Sequence, residues 1–192
     1  VPGTPEQVWE AIATGPGISA WFVPAAIEES DGKPVAVRLD VGPGQVSRAV
    51  VTAWDPPRLF AREGDGWAPG SPPLAAEFTV EARAGGTCVV RVVQSLFAST
   101  DDWDEQLTGA EGGWPGAFRV LRLYLTHFRG QRATMMQAMA PVSGSSGEAW
   151  ATLTAALGLQ GVNPGERWIA PAGAPALGGV VENVSEDPVG VL

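Results

Sequence analysis

The chain has 192 residues, 45% of them hydrophobic and 17% charged, which is enough for one generous domain with a real core and too apolar for disorder. Its 21 acidic residues outweigh 12 Lys and Arg, giving a formal charge of −9 with no basic cluster, and this argues against nucleic acid as a partner. Cys88 is the only cysteine, which excludes an internal disulfide and a Cys-rich zinc site, and no apolar run approaches the roughly 20 residues that span a bilayer.

Thr4-Pro5-Glu6-Gln7 predicts a helix start, because Thr4 can cap, Pro5 suits the first turn and Gln7 can complete a capping box. Val8, Trp9 and Ile12 give that helix an apolar side, and Gly15-Pro16-Gly17 ends it. Ile18 to Phe22 reads as a short helical turn with Trp21 and Phe22 inward, stopped by Pro24. From Pro34 to Leu96 β-branched runs alternate with period two, predicting an antiparallel meander with strands near 34–41, 46–54, 58–63, 74–83 and 87–96. Asp55-Pro56-Pro57 and Ala84-Gly85-Gly86 are its clearest turns, 64–73 is a Gly- and Pro-rich loop, and Cys88 is a small buried hydrophobe in the last strand.

Ser99 to Asp104 predicts another capped helix, interrupted at Gly109 and Gly112-Gly113 and restarted at Trp114-Pro115 to run to about Phe128. There Trp114, Phe118, Leu121 and Leu125 share one face, opposite Arg119, Arg122, Thr126 and Arg129. A sheet crossed by such a helix is an α+β layer arrangement. Residues 1–129 form this domain and 130–192 a smaller α+β extension. In the extension 134–140 reads as a strand, 141–147 as a linker, Ser145 with Glu148 as a second capping box before Trp150, Leu153 and Leu157, and 166–171 and 178–184 as strands. That apolar stripe needs cover, from the first domain or from another subunit. A weak echo between the two capped helices leaves two readings open, chance and an incomplete second copy of the fold.

The opening Pro5-Glu6-Gln7-Val8-Trp9-Glu10-Ala11, the pair Trp21-Phe22, the segment Val51-Thr52-Ala53-Trp54-Asp55-Pro56-Pro57-Arg58 and Gly113-Trp114 before the last helix together resemble the START-like helix-grip superfamily. Within it they are most similar to the branch named after the activator of the ninety-kilodalton heat-shock-protein ATPase. The resemblance covers about residues 1–129. It implies a curved antiparallel sheet gripping a long C-terminal helix, with a cavity between them. The chain departs from the pattern at Pro115, at the first strand, of which Val1 to Gly3 is the remnant, and in the extension after residue 130.

His127 is the only histidine, and its place at the end of the long helix suits the helix dipole better than catalysis. Asp101, Asp102, Asp104 and Glu105 are first-turn acids, Glu63 and Asp65 lack the ligand count of a calcium loop, and no phosphate-cradling or dinucleotide fingerprint occurs. The unusual supply is eight Trp. Trp9 and Trp150 read as core. Trp21, Phe22, Trp54, Phe78, Trp114, Phe118 and Leu121 are the expected ligand-pocket residues, although such rings either line the gap or fill it solid. The expectation is a non-catalytic cytoplasmic protein without cofactor that binds a small apolar molecule, monomeric or as a homodimer. The rival readings are a chaperone-associated interaction protein of stress response and a polyketide-cyclase-like enzyme.

Overall fold

The computed structural model describes residues 1–42, 44–64, 71–97, 104–135 and 143–184, with the backbone alone at 104–112. The chain divides into two compact units, Val1–Gln137 and Ala138–Leu192.

In the first unit, α1 (Pro5–Ala13) begins as its sequence dictates: the Gln7 N–H donates to Thr4 Oγ1 at 3.4 Å, and the Thr4 N–H donates to Gln7 Oε1 at 2.9 Å. Val8, Trp9 and Ile12 are buried on its apolar side. Thr14 caps the short α2 (Gly15–Ser19), and Trp21 behind it donates its indole N–H to Ala11 O at 3.0 Å, fixing the Trp21-Phe22 pair against α1.

The sheet is an antiparallel meander in the order β1 (Ala25–Ser30), β2 (Lys33–Gly42), β3 (Gln45–Asp55), β4 (Leu59–Gly64), β5 (Leu74–Arg83) and β6 (Thr87–Leu96). The last five strands match the expected ones closely. β1 was not foreseen: Glu28, Glu29 and Ser30 are poor strand formers, tolerated because β1 is an edge strand. It is joined to β2 by Asp31-Gly32, both at positive φ, the geometry of a tight two-residue hairpin turn. At the other edge Val1–Gly3 is the expected strand remnant. Cys88 N–H donates to Val1 O at 2.8 Å, and Gly3 N–H donates to Gly86 O at 2.9 Å.

The helix laid across the sheet is α3 (Asp104–Leu123), continued by a π-helical turn over Tyr124–Phe128. It runs unbroken through Gly109, Gly112, Gly113 and Pro115, correcting the expected interruption and restart. Each glycine costs about 1 kcal/mol in a helix and the proline about 3. Those losses are offset by packing, since Leu121, Tyr124 and Leu125 are buried and Trp114 and Phe118 pack against the same core. Of the expected cap at 99–104 only Asp104 is described, and the Gly- and Pro-rich loop lies outside the described residues at 65–70. Residues 131–135 carry no strand, and the rest of the strand expected over 134–140 is likewise outside them.

The second unit contains α4 (Ser146–Ala156) and a hairpin of β7 (Arg167–Ile169) with β8 (Gly178–Val180), shorter than the two strands expected. Its capping box is present, with the Glu148 N–H donating to Ser145 Oγ at 3.3 Å and the Ser145 N–H to Glu148 Oε2 at 2.8 Å. Trp168 donates its indole N–H to Leu157 O at 2.9 Å, tying the hairpin to the end of α4.

Candidate functional site

Strand alternation decides what faces the helix. Phe60 of β4 lies opposite Trp54 of β3 and Phe78 of β5; Phe60 and Phe78 belong to the core and Trp54 packs against it, so their face is the inner one. Trp9 of α1 meets Trp54 edge-on with 5.1 Å between ring centroids, Trp54 meets Phe60 at 5.4 Å, and Phe60 stacks on Phe78 at 6.0 Å. From the sheet the rings cross to the helix: Phe78 to Trp114 at 5.7 Å, Trp114 to Phe118 at 5.5 Å, and Phe118 to Trp21 at 6.2 Å. Phe22 stacks on Trp114 at 5.5 Å and closes the set. The fold therefore brings together Trp21, Phe22, Trp54, Phe78, Trp114, Phe118 and Leu121. At these spacings the rings are in contact and fill their half of the gap, although Phe22, Trp54, Trp114 and Phe118 stay partly exposed.

The other half of the inner face is built differently. Two residues beyond Phe60, Arg62 points to the same side, between Val51 of β3 and Ala76 of β5, and Ala76 in turn pairs with Gln94 of β6. Next along β4 comes Gly64, opposite Ala49. A Cβ on Gly64 would collide with the Arg48 carbonyl oxygen and with Ala49 Cα at 2.5 Å, so β3 and β4 approach too closely there for any side chain. Ser47, Ala49, Gly64 and Ala76 thus give this half a floor of small groups, while Arg62 and Gln94 supply the polar atoms.

Gln94 Oε1 accepts the Trp114 indole N–H at 2.7 Å. An indole only donates, so this bond fixes the amide orientation and leaves the Gln94 NH2 directed away from the ring. Arg62 is 9% exposed. Burial pushes its pKa down to about 10, which still leaves the guanidinium protonated at neutral pH. Among the described residues no carboxylate and no hydrogen-bond partner meets it, and its nitrogens keep a narrow access to water. Three of the surface arginines differ: Arg48 pairs with Glu28 at 2.6 Å, Arg58 with Asp55 at 2.8 Å and Arg83 with Glu81 at 2.9 Å. Sequence reasoning missed Arg62 and Gln94, yet the signal was there, because a strand containing Phe60 inward must also turn residue 62 inward.

A depression of about 230 Å³ lies along the opposite face, lined by Thr52, Ala61, Arg62, Ala75, Ala76, Glu77, Val93 and Ser95. Ala61, Glu77 and Val93 form a cross-strand row that alternates with the inward residues, so this hollow opens outward. It presents no aromatic ring and has the Glu77 carboxylate in its wall.

His127 is exposed in the π-helical turn beside the Phe128 ring at 6.1 Å. Cys88 is buried, its Sγ 3.3 Å from Gly3 O, and burial pushes the thiol pKa up, which disfavours the thiolate. Among the described residues no group of His, Cys, Asp and Glu is placed to hold a metal, and no helix is long and apolar enough to cross a membrane.

The comparisons agree with this architecture. Among solved structures, the crystal structure of protein MLL2253 from Mesorhizobium loti is similar with a TM-score of 0.55 and 23% identity, over 67% of this chain and 93% of that one. CalU16 from Micromonospora echinospora matches with a TM-score of 0.51 and 16% identity, over 69% and 72%. DynU16, from the dynemicin biosynthetic locus, matches with a TM-score of 0.52 and 22% identity, over 92% of this chain and 65% of that one. At such identities these likenesses show the helix-grip fold alone. No curated protein matches the chain by sequence. The profile of one family, described as Activator of Hsp90 ATPase homolog 1-like protein, matches residues 2–126, and with two thirds of its length so matched the chain belongs to that family.

Proposed function

We propose that the chain is a non-catalytic binding protein of the cytoplasm that holds a small hydrophobic molecule between the inner face of the sheet and α3. The observation that carries this reading is the division of that face. Contacting rings fill one half and keep partly exposed edges at Phe22, Trp114 and Phe118, while small residues floor the other half. An apolar surface with few, convergent polar groups is the arrangement that binds small molecules. The polar groups there suit holding more than chemistry, since at neutral pH neither a guanidinium nor an amide exchanges protons readily enough for general acid or base work.

A second reading, an interaction protein of the chaperone machinery, is favoured by the family's own description and by the exposed Val89 and Val93 on the outer face of β6. Native mass spectrometry of the protein purified from its source separates the two. The pocket reading expects an added mass of a few hundred daltons that is released on denaturation. A bare chain, together with retention of a chaperone, would favour the second reading.

A further inference from the structure

We propose that the inner-face site selects molecules with an anionic head on an apolar or aromatic body, and that the Arg62 guanidinium, assisted by the Gln94 amide NH2, is the anion-binding group. This rests on the pocket reading above and names the chemistry of its ligand.

Arg62, Ala76 and Gln94 occupy one cross-strand row on the inner face. Two interstrand steps separate the outer members by roughly 10 Å, and both side chains are long enough to converge on one acceptor above the methyl group of Ala76. Such a buried guanidinium is costly when nothing compensates its charge, and is ordinarily paired. Here no described residue pairs it. Its five donors in a planar fork match a carboxylate or sulfonate oxygen pair, and weak hydration makes guanidinium the cation best suited to such a place. The Gln94 NH2, turned away from Trp114 by the bond that its oxygen accepts, adds neutral donors beside the same row. Adjacent to these donors lies the Trp114 ring, whose partly exposed edge is available for the apolar body. With a net charge of −9, long-range attraction does not favour anions, so any preference for them must arise locally.

The test uses a matched pair of dyes on the full chain: 8-anilinonaphthalene-1-sulfonate, and N-phenyl-1-naphthylamine, which has the same rings without the sulfonate. The wild type should bind the sulfonate at least about tenfold more tightly, a difference of about 1.4 kcal/mol. Arg62→Met should abolish that preference while leaving the neutral dye bound. It should also raise Tm, since an uncompensated buried charge is exchanged for an apolar side chain of similar length. Arg62→Lys, retaining charge without the fork, should keep part of the preference. An unchanged sulfonate-to-neutral ratio in Arg62→Met would overturn the anion site and spare the pocket. A fall in Tm in Arg62→Met would overturn it too, showing that the chain itself neutralises Arg62. Failure of the wild type to bind either dye would remove the pocket and the anion site together.

Discussion

Phe118 stacks on Trp114 and lies 6.2 Å from Trp21, half-buried where the helix meets the Trp21-Phe22 pair. Phe118→Ala should cost about 2–3 kcal/mol in chemical denaturation, somewhat below the range for a fully enclosed ring. A cost under about 0.5 kcal/mol would mean that the ring stands over a hollow and packs against little. The ring residues were legible in the sequence because large aromatics at helical spacing, and at period two in strands, can only be accommodated facing a core. Arg62 was not, because a charged residue in a strand is ordinarily assigned to the solvent face. Alternation from Phe60 overrides that assignment, and the register then places Arg62 beside Ala76.

The strands show the same contrast at the level of elements. β2 to β6 announced themselves through β-branched alternation, whereas β1 is held by its partner and by the Asp31-Gly32 turn, a signal carried by two residues and easily lost among the acidic ones around it. α3 was misread in the opposite direction, since local glycine and proline chemistry predicted a break that the packing of Leu121, Tyr124 and Leu125 prevents. The close approach of β3 and β4 at Gly64 was also invisible, as it depends on a register shift between Val51 and Ala53 that no pattern reports. Gly64→Ala pits a methyl group against backbone atoms that cannot rotate away, and should destabilise the chain by about 1–3 kcal/mol. A thermal melt showing Gly64→Ala equal to the wild type would mean that the two strands separate there at little cost, and that the small-residue floor is not fixed.

For the first unit as a whole, the sheet offers two faces of opposite character. The outer face carries an open, acid-walled depression, while the inner face combines rings, small residues and a cation nine-tenths buried. The order of predicted elements foresaw an α+β protein, composition a surplus of Trp, and the family resemblance supplied the helix-grip arrangement. What neither contained is how the inner face is divided, because that follows from pairing partners far apart in sequence, Arg62 with Ala76 and Ala76 with Gln94. The location of a bound apolar probe therefore tests the account most directly. Intermolecular NOEs from N-phenyl-1-naphthylamine should reach the methyl groups of Ala49 and Ala76 and the indole of Trp114. NOEs confined to Ala61, Ala75 and Val93 would place the probe in the outer hollow and contradict it.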